Sequence, residues 1–146
     1  PPASTLWSKV LRLFYESRLT EQSLRGYGMH ILVVDDDPLA GEMTAALIGS
    51  QGYETLMAFD AMGAVEQLDT HSDIALIVSD MHMPLISGLA LLAMLREQDN
   101  DLPFILLTGD TPDDELRQTP GLHACLSKDA ELASNLETVI KQALNK

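Results

Sequence analysis

From Met29 onward the chain alternates short β-branched or apolar runs with segments whose apolar positions recur every three or four residues. The runs are too continuous for strands with one wet face, so both faces must be buried. The pattern predicts strands over about His30–Val34, Glu54–Ala58, Ile74–Ser79, Pro103–Thr108 and Leu122–Ser127. It predicts helices over about Leu39–Ser50, Ala61–Thr70, Leu85–Gln98, a short Pro112–Gln118, and Glu131–Asn145. Five βα units in succession argue for an α/β fold with a parallel sheet, right-handed crossovers and helices on both faces. Asp37-Pro38 reads as an N-cap followed by proline at the first helical position, and Gly52 as the stop of that helix.

Residues 1–28 stand apart. Leu6, Trp7, Val10, Leu11 and Phe14 follow helical spacing, and Gly26-Tyr27-Gly28 then breaks the pattern, so an amphipathic helix and linker are expected ahead of a domain over residues 29–146. Fewer than three heptads make a linker the better reading than a dimerisation coil. The chain opens Pro1-Pro2 and carries no secretory signal, which suggests a piece of a longer protein.

Composition narrows the partners. The 146 residues include nine basic and 22 acidic side chains, for a net charge of −13, and 46% are hydrophobic, enough for one buried core. Lys9, Arg12, Arg18 and Arg25 against Glu16 and Glu21 leave the first 28 residues slightly basic, so the body is more acidic still. Such a body repels phosphate backbones, which argues against nucleic acid as a direct partner. The densest apolar stretch, Leu89–Leu95, falls far short of the roughly 20 residues a membrane span requires, so this segment should not contact a membrane. The lone Cys125 fits a reducing, cytoplasmic compartment and reads as a structural thiol.

In sheets of this kind ligands sit beyond the carboxyl ends of the strands, near the switch in strand order. Strand one delivers Asp35 and Asp36, strand three Asp80, strand four Thr108 and strand five Lys128, while strand two offers no obvious chemistry. Two carboxylates about 5 Å apart repel by about 3 kcal/mol at an effective dielectric of about 20, so three together need a cation. Lys128 offers one positive charge. An all-oxygen cluster also suits a hard divalent ion, with Mg²⁺ the default, and such a metal invites a phosphoryl group. Singly, Asp35 and Asp36 would read as a solvated loop, Thr108 as a β-branched strand residue and Lys128 as a surface lysine; their joint placement favours function. His30, His71, His82 and His123 show no ligand spacing, so no zinc site is expected.

Val33-Val34-Asp35-Asp36, Ser79-Asp80-Met81-His82-Met83-Pro84 with Gly88, Leu107-Thr108-Gly109 and Leu126-Ser127-Lys128 occur in that order. Together they resemble the signature of the response-regulator receiver domain of two-component signalling, over about residues 29–146. The resemblance implies a flavodoxin-like (βα)5 fold, a doubly wound parallel sheet of five strands. It also implies a phosphorelay function, with a histidine kinase or histidine phosphotransfer domain as partner. Residue by residue, Asp80 matches the phosphoacceptor, which attacks a phosphohistidine and becomes an acyl phosphate. Asp36 matches the direct Mg²⁺ ligand, Asp35 the acidic neighbour that acts through water, and the backbone carbonyl of His82 the third protein ligand. Thr108 and Lys128 match the groups that meet phosphoryl oxygens. An added phosphoryl group changes local charge by up to about −2, enough to draw Thr108 inward and rearrange the adjoining loop, so the output is conformational.

Three departures qualify that picture. Cys125 stands where many receivers place the aromatic residue whose rotamer reports phosphorylation. Asp129 follows Lys128 where proline is usual. The segment from Thr111 to Pro120 leaves room only for a short fourth helix. The chief enzymatic rival is a haloacid-dehalogenase-like Mg²⁺ phosphatase using Asp35, since Asp35-Asp36-Asp37 has that family's aspartate spacing; Pro38 and an unexplained Asp80 count against it. A partner-binding pseudo-receiver is the third reading. A basic segment ahead of the receiver is similar to the arrangement in a hybrid sensor histidine kinase, with a stand-alone regulator as the alternative.

Overall fold

The computed structural model describes residues 29–145, so the amphipathic helix expected within residues 1–28 lies outside the described residues. The strands are β1 (His30–Val34), β2 (Glu54–Ala58), β3 (Ile74–Asp80), β4 (Phe104–Thr108) and β5 (Ala124–Ser127). Between and after them run α1 (Pro38–Gly49), α2 (Ala61–Thr70), α3 (Gly88–Glu97), α4 (Asp114–Arg117) and α5 (Leu132–Leu144). All strands pair in parallel, in the order β2-β1-β3-β4-β5. This is the flavodoxin-like arrangement, with the strand order reversing between β1 and β3.

Period-two alternation divides the strands between two cores. Leu32, Val34, Ile77, Phe104 and Leu106 pack with Ala61 and Ala64 of α2 and with Leu91, Leu92 and Leu95 of α3. The intervening Ile31, Val33, Leu76, Val78, Ile105 and Leu107 pack with Ile48 of α1 and with Leu132, Leu136 and Ile140 of α5. Helices on both faces are thus why β1 and β4 read as unbroken apolar runs. The carboxyl ends of the central strands are thereby fixed on a rigid platform.

Element boundaries move by a few residues for identifiable reasons. Asp37 caps α1, accepting from the Leu39 and Ala40 N–H groups, with proline inside the first turn as expected. Gly52, at φ +96°, closes the exit from that helix. The third helix begins at Gly88 and not at Leu85, because Leu85 lies in the left-handed region at φ +68° and Ser87 is the N-cap. The fifth strand begins at Ala124 and not at Leu122, because Gly121 turns at φ +82° and the Leu122 N–H bonds back to Thr119. β3 runs one residue further than expected and takes in Asp80. Helix α4 is a single turn capped by Asp113, as the crowded segment predicted. No peptide bond among the described residues is cis, so Lys128–Asp129 is trans.

Leu85 combines a left-handed backbone with a fully exposed side chain. The backbone opposes folding, since a bulky L-residue in that region is strained by about 1–2 kcal/mol, and the exposed side chain gains no burial to offset it. Leu85→Asn, which tolerates the conformation, is expected to raise stability by about 0.5–1 kcal/mol. Urea denaturation reads this as a higher midpoint at unchanged slope, and an unchanged or lower midpoint would reject the strain argument.

Candidate functional site

The acidic centre forms where β1 and β3 end side by side. Val34 pairs with Ser79, so the residues that follow, Asp35 and Asp80, leave adjacent strands at one level. Asp36 comes one residue later. Carboxylate oxygens of Asp35, Asp36 and Asp80 lie within 4.8 Å of one another. Asp35 and Asp80 are buried and Asp36 is exposed, which gives the cluster two fixed walls and one side open to solvent.

Lys128 enters from the end of β5. Its N–H donates to the Thr108 carbonyl at 2.8 Å, which extends the β4–β5 pairing by one bond and fixes the start of the side chain. The ammonium then lies 2.9 Å from Asp80 Oδ1 and 3.3 Å from Asp35 Oδ2. Burial works against its charge, but the hydrogen bond to Asp80, then the charges of Asp80 and Asp35, outweigh burial and hold the Lys128 pKa above the ordinary lysine range. It is the cation the carboxylates require, and it covers only one of their three charges. Two negative charges on hard oxygen atoms remain, a donor set that fits a divalent ion of the Mg²⁺ class.

The other side chains divide by reach. Asp35 Oδ1 accepts from the Asp37 N–H at 3.0 Å, so both oxygens of this carboxylate are engaged. Asp37 itself turns away to cap α1, which separates it from the cluster. Thr108 is 3% exposed at the end of β4, and its hydroxyl accepts the Asp110 N–H at 3.2 Å. His82 lies in the loop two residues beyond Asp80, with its side chain exposed. Cys125 is buried on β5, and burial pushes its thiol pKa up, which fits a structural role.

Backbone contacts hold the loop after Asp80. The Met81 N–H donates to the Leu107 carbonyl at 2.7 Å, and the Gly88 N–H closes back on the Met81 carbonyl at 2.9 Å. Ser79 Oγ donates to the Asp80 carbonyl at 3.0 Å. A Cβ on Gly88 would overlap the Asp80 carbonyl oxygen and come within 2.6 Å of Leu106 Cδ1, so α3 can start this close to the site only at a glycine. The Asp110 and Ser127 contacts at the β4–α4 loop had no sequence signal beyond lying next to Gly109 and Lys128. Their hydrogen bonds depend on neighbouring strands meeting in register.

Comparison with known proteins agrees with this geometry. The sequence profile of the response regulator receiver domain matches residues 31–140. The sensor histidine kinase RcsC of Escherichia coli K12 is 36% identical over 119 residues, 80% of this chain. The chain spans only 12% of that kinase's length. A receiver domain from Clostridium thermocellum superposes with a TM-score of 0.71 at 27% identity, covering 80% of this chain and 94% of the other. The response regulator TrrA of Thermotoga maritima, solved with Mg²⁺ and a beryllium fluoride, gives 0.63 at 26% identity over 76% of this chain and 98% of its own. A five-stranded parallel sheet with its acidic cluster at the strand switch, and a profile match running from β1 into α5, lead to one conclusion: the chain belongs to the response regulator receiver domain family.

Proposed function

We propose that Asp80 accepts a phosphoryl group from phosphohistidine in a phosphorelay, and that the resulting charge is read as a change of conformation. An Asp80 carboxylate oxygen attacks phosphorus, the phosphorus–nitrogen bond breaks, and the imidazole leaves with the electron pair, giving an acyl phosphate on Asp80. The observation that carries this reading is the Lys128 ammonium bridging Asp80 and Asp35 in a cluster that still has two charges unmet. Phosphoryl transfer asks for positioning and for neutralisation of equatorial oxygens more than for covalent help, and these groups are arranged for that. Asp36, Asp80 and the His82 carbonyl would hold Mg²⁺, with Asp35 acting through water. The ion would supply further charge neutralisation at the phosphoryl oxygens. Lys128 and Thr108 would take the remaining phosphoryl oxygens.

The donor on this reading is a histidine kinase or histidine phosphotransfer domain. Similarity to RcsC, a sensor histidine kinase eight times longer than the matched region, supports a hybrid-kinase parent, in which residues 1–28 would join the receiver to an upstream kinase core. Among the described residues no helix is long and apolar enough to cross a membrane. A cytoplasmic location follows from the proposed partner.

The phosphatase reading loses support at Asp37. That route needs a second aspartate beside the nucleophile Asp35, and Asp37 is committed to the α1 cap. Labelling with acetyl phosphate and Mg²⁺ tests the two directly. Asp80→Asn should abolish acid-stable, base-labile phosphate incorporation, a loss of more than 100-fold. Retained labelling in Asp80→Asn together with its loss in Asp35→Asn would transfer the nucleophile to Asp35 and overturn the receiver chemistry.

A further inference from the structure

The β4–α4 loop is held at a single residue from two sides. The Asp110 N–H donates to the Thr108 hydroxyl at 3.2 Å, and the Ser127 hydroxyl donates to the Asp110 carbonyl at 3.3 Å. Thr108 and Ser127 are direct partners in the β4–β5 register, so the two hydroxyls flank the loop from adjacent strand ends. The backbone of Asp110 is clasped between them.

One jaw of this clasp has a competing use. On the reading above, Thr108 turns to the phosphoryl group on Asp80. Its hydroxyl now accepts from the loop, and rotation of χ1 to another staggered well withdraws the oxygen from Asp110. Whatever steadies Asp110 therefore opposes that rotation. Ser127 does so from the far side, and it stands outside the carboxylate cluster.

We infer that Ser127 is a positioning residue that sets how readily Thr108 becomes available to the phosphoryl group, by pinning the Asp110 carbonyl. The inference rests on the phosphoacceptor reading of Asp80. It also gives the chain a reporter that does not need an aromatic side chain, since Cys125 fills the position where such a switch would sit. When Thr108 turns inward, the Asp110 N–H loses its partner and the weaker Ser127 contact is left alone to hold the loop. Nothing lies within 4 Å of a Cβ built on Gly109, so the chain beside the clasp has room to move. Three residues beyond Asp110, the Asp113 carboxylate caps α4 by accepting the Leu116 N–H at 2.7 Å, so a shift at Asp110 has a short path to that single turn.

The test uses beryllofluoride with Mg²⁺ as the phosphoryl mimic on the full chain. A long, solvent-exposed hydrogen bond lies at the low end of the net range, which corresponds to about a twofold change in an equilibrium. Ser127→Ala is therefore expected to bind beryllofluoride about twofold more tightly. In the absence of the mimic, its amide resonances from Gly109 to Asp113 should move part-way toward their positions in the mimic-bound wild type. Ser127→Thr keeps the hydroxyl and should match the wild type in both respects, while the urea midpoints of all three proteins stay close. Wild-type affinity and resonances in Ser127→Ala, or equal changes in both variants, would overturn the clasp. If the wild type itself fails to bind beryllofluoride, the phosphoacceptor reading falls, and this inference falls with it.

Discussion

Gly88→Ala is expected to lower stability by about 3 kcal/mol and to reduce phosphate incorporation from acetyl phosphate at least tenfold. The methyl group would meet the Asp80 carbonyl oxygen on one side and Leu106 Cδ1 at 2.6 Å on the other. Leu106 is completely buried in the core between the sheet and α2–α3, so it has little room to retreat. Overpacking of this kind typically costs about 1–3 kcal/mol, and a backbone oxygen as the obstacle puts the case at the upper end. The Gly88 N–H bond to the Met81 carbonyl would stretch as α3 backs away, and the β3–α3 loop, which carries the His82 carbonyl, would move with it. Gly109→Ala is the matched control, because its new Cβ meets nothing within 4 Å; it should stay within about 0.5 kcal/mol of the wild type. Urea denaturation of the two variants decides the matter. Equal losses would mean that close approach at Gly88 is not what fixes the loop.

That contrast shows which features the sequence could reveal. The central strands β1, β3 and β4 were legible because they are buried on both faces, and an unbroken apolar run bounded by polar residues has few other homes; the edge strands β2 and β5 are only partly buried and follow from the alternation with helices. The acidic cluster was legible because chemistry gathers at strand ends, and Asp35, Asp36, Asp80, Thr108 and Lys128 each sit at one. The starts of α3 and β5 were not legible. Each is set by a residue with positive φ, Leu85 and Gly121, and an apolar leucine in a left-handed turn looks from its pattern like the first turn of a helix. The double engagement of Lys128 also lay beyond the sequence. The strand-end residues give the list of charges, but only the register running from β1 through β3 and β4 to β5 decides that one ammonium meets both Asp80 and Asp35. Ser127 was hidden for the same reason, since its partner is a carbonyl 17 residues away.

The Lys128 bridge gives the second large effect. Lys128→Met keeps the length of the side chain and removes the charge, leaving Asp35 and Asp80 buried without their cation. Removing one partner from a buried ion pair commonly costs about 3–5 kcal/mol; the open side of this cluster lets water relieve part of that, so about 2–3 kcal/mol is expected at neutral pH without metal. The Lys128 pKa is raised on folding, so its contribution is fully present below the unfolded lysine value of about 10.4 and is lost as pH climbs through the higher folded value. The wild type should therefore lose stability at the alkaline end of that window, and Lys128→Met should lack this decline. Metal separates the electrostatic account from a packing defect. A divalent cation that binds only the folded state stabilises it by mass action, and the variant, with no ammonium competing for Asp80 and Asp35, should bind Mg²⁺ more tightly than the wild type and recover most of its deficit at millimolar concentration. Thermal denaturation across pH, with and without Mg²⁺, reads all three effects on one protein pair. A deficit that persists in Mg²⁺ and keeps the wild-type alkaline decline would mean that Lys128 supports the fold by its methylene stem and not by its charge.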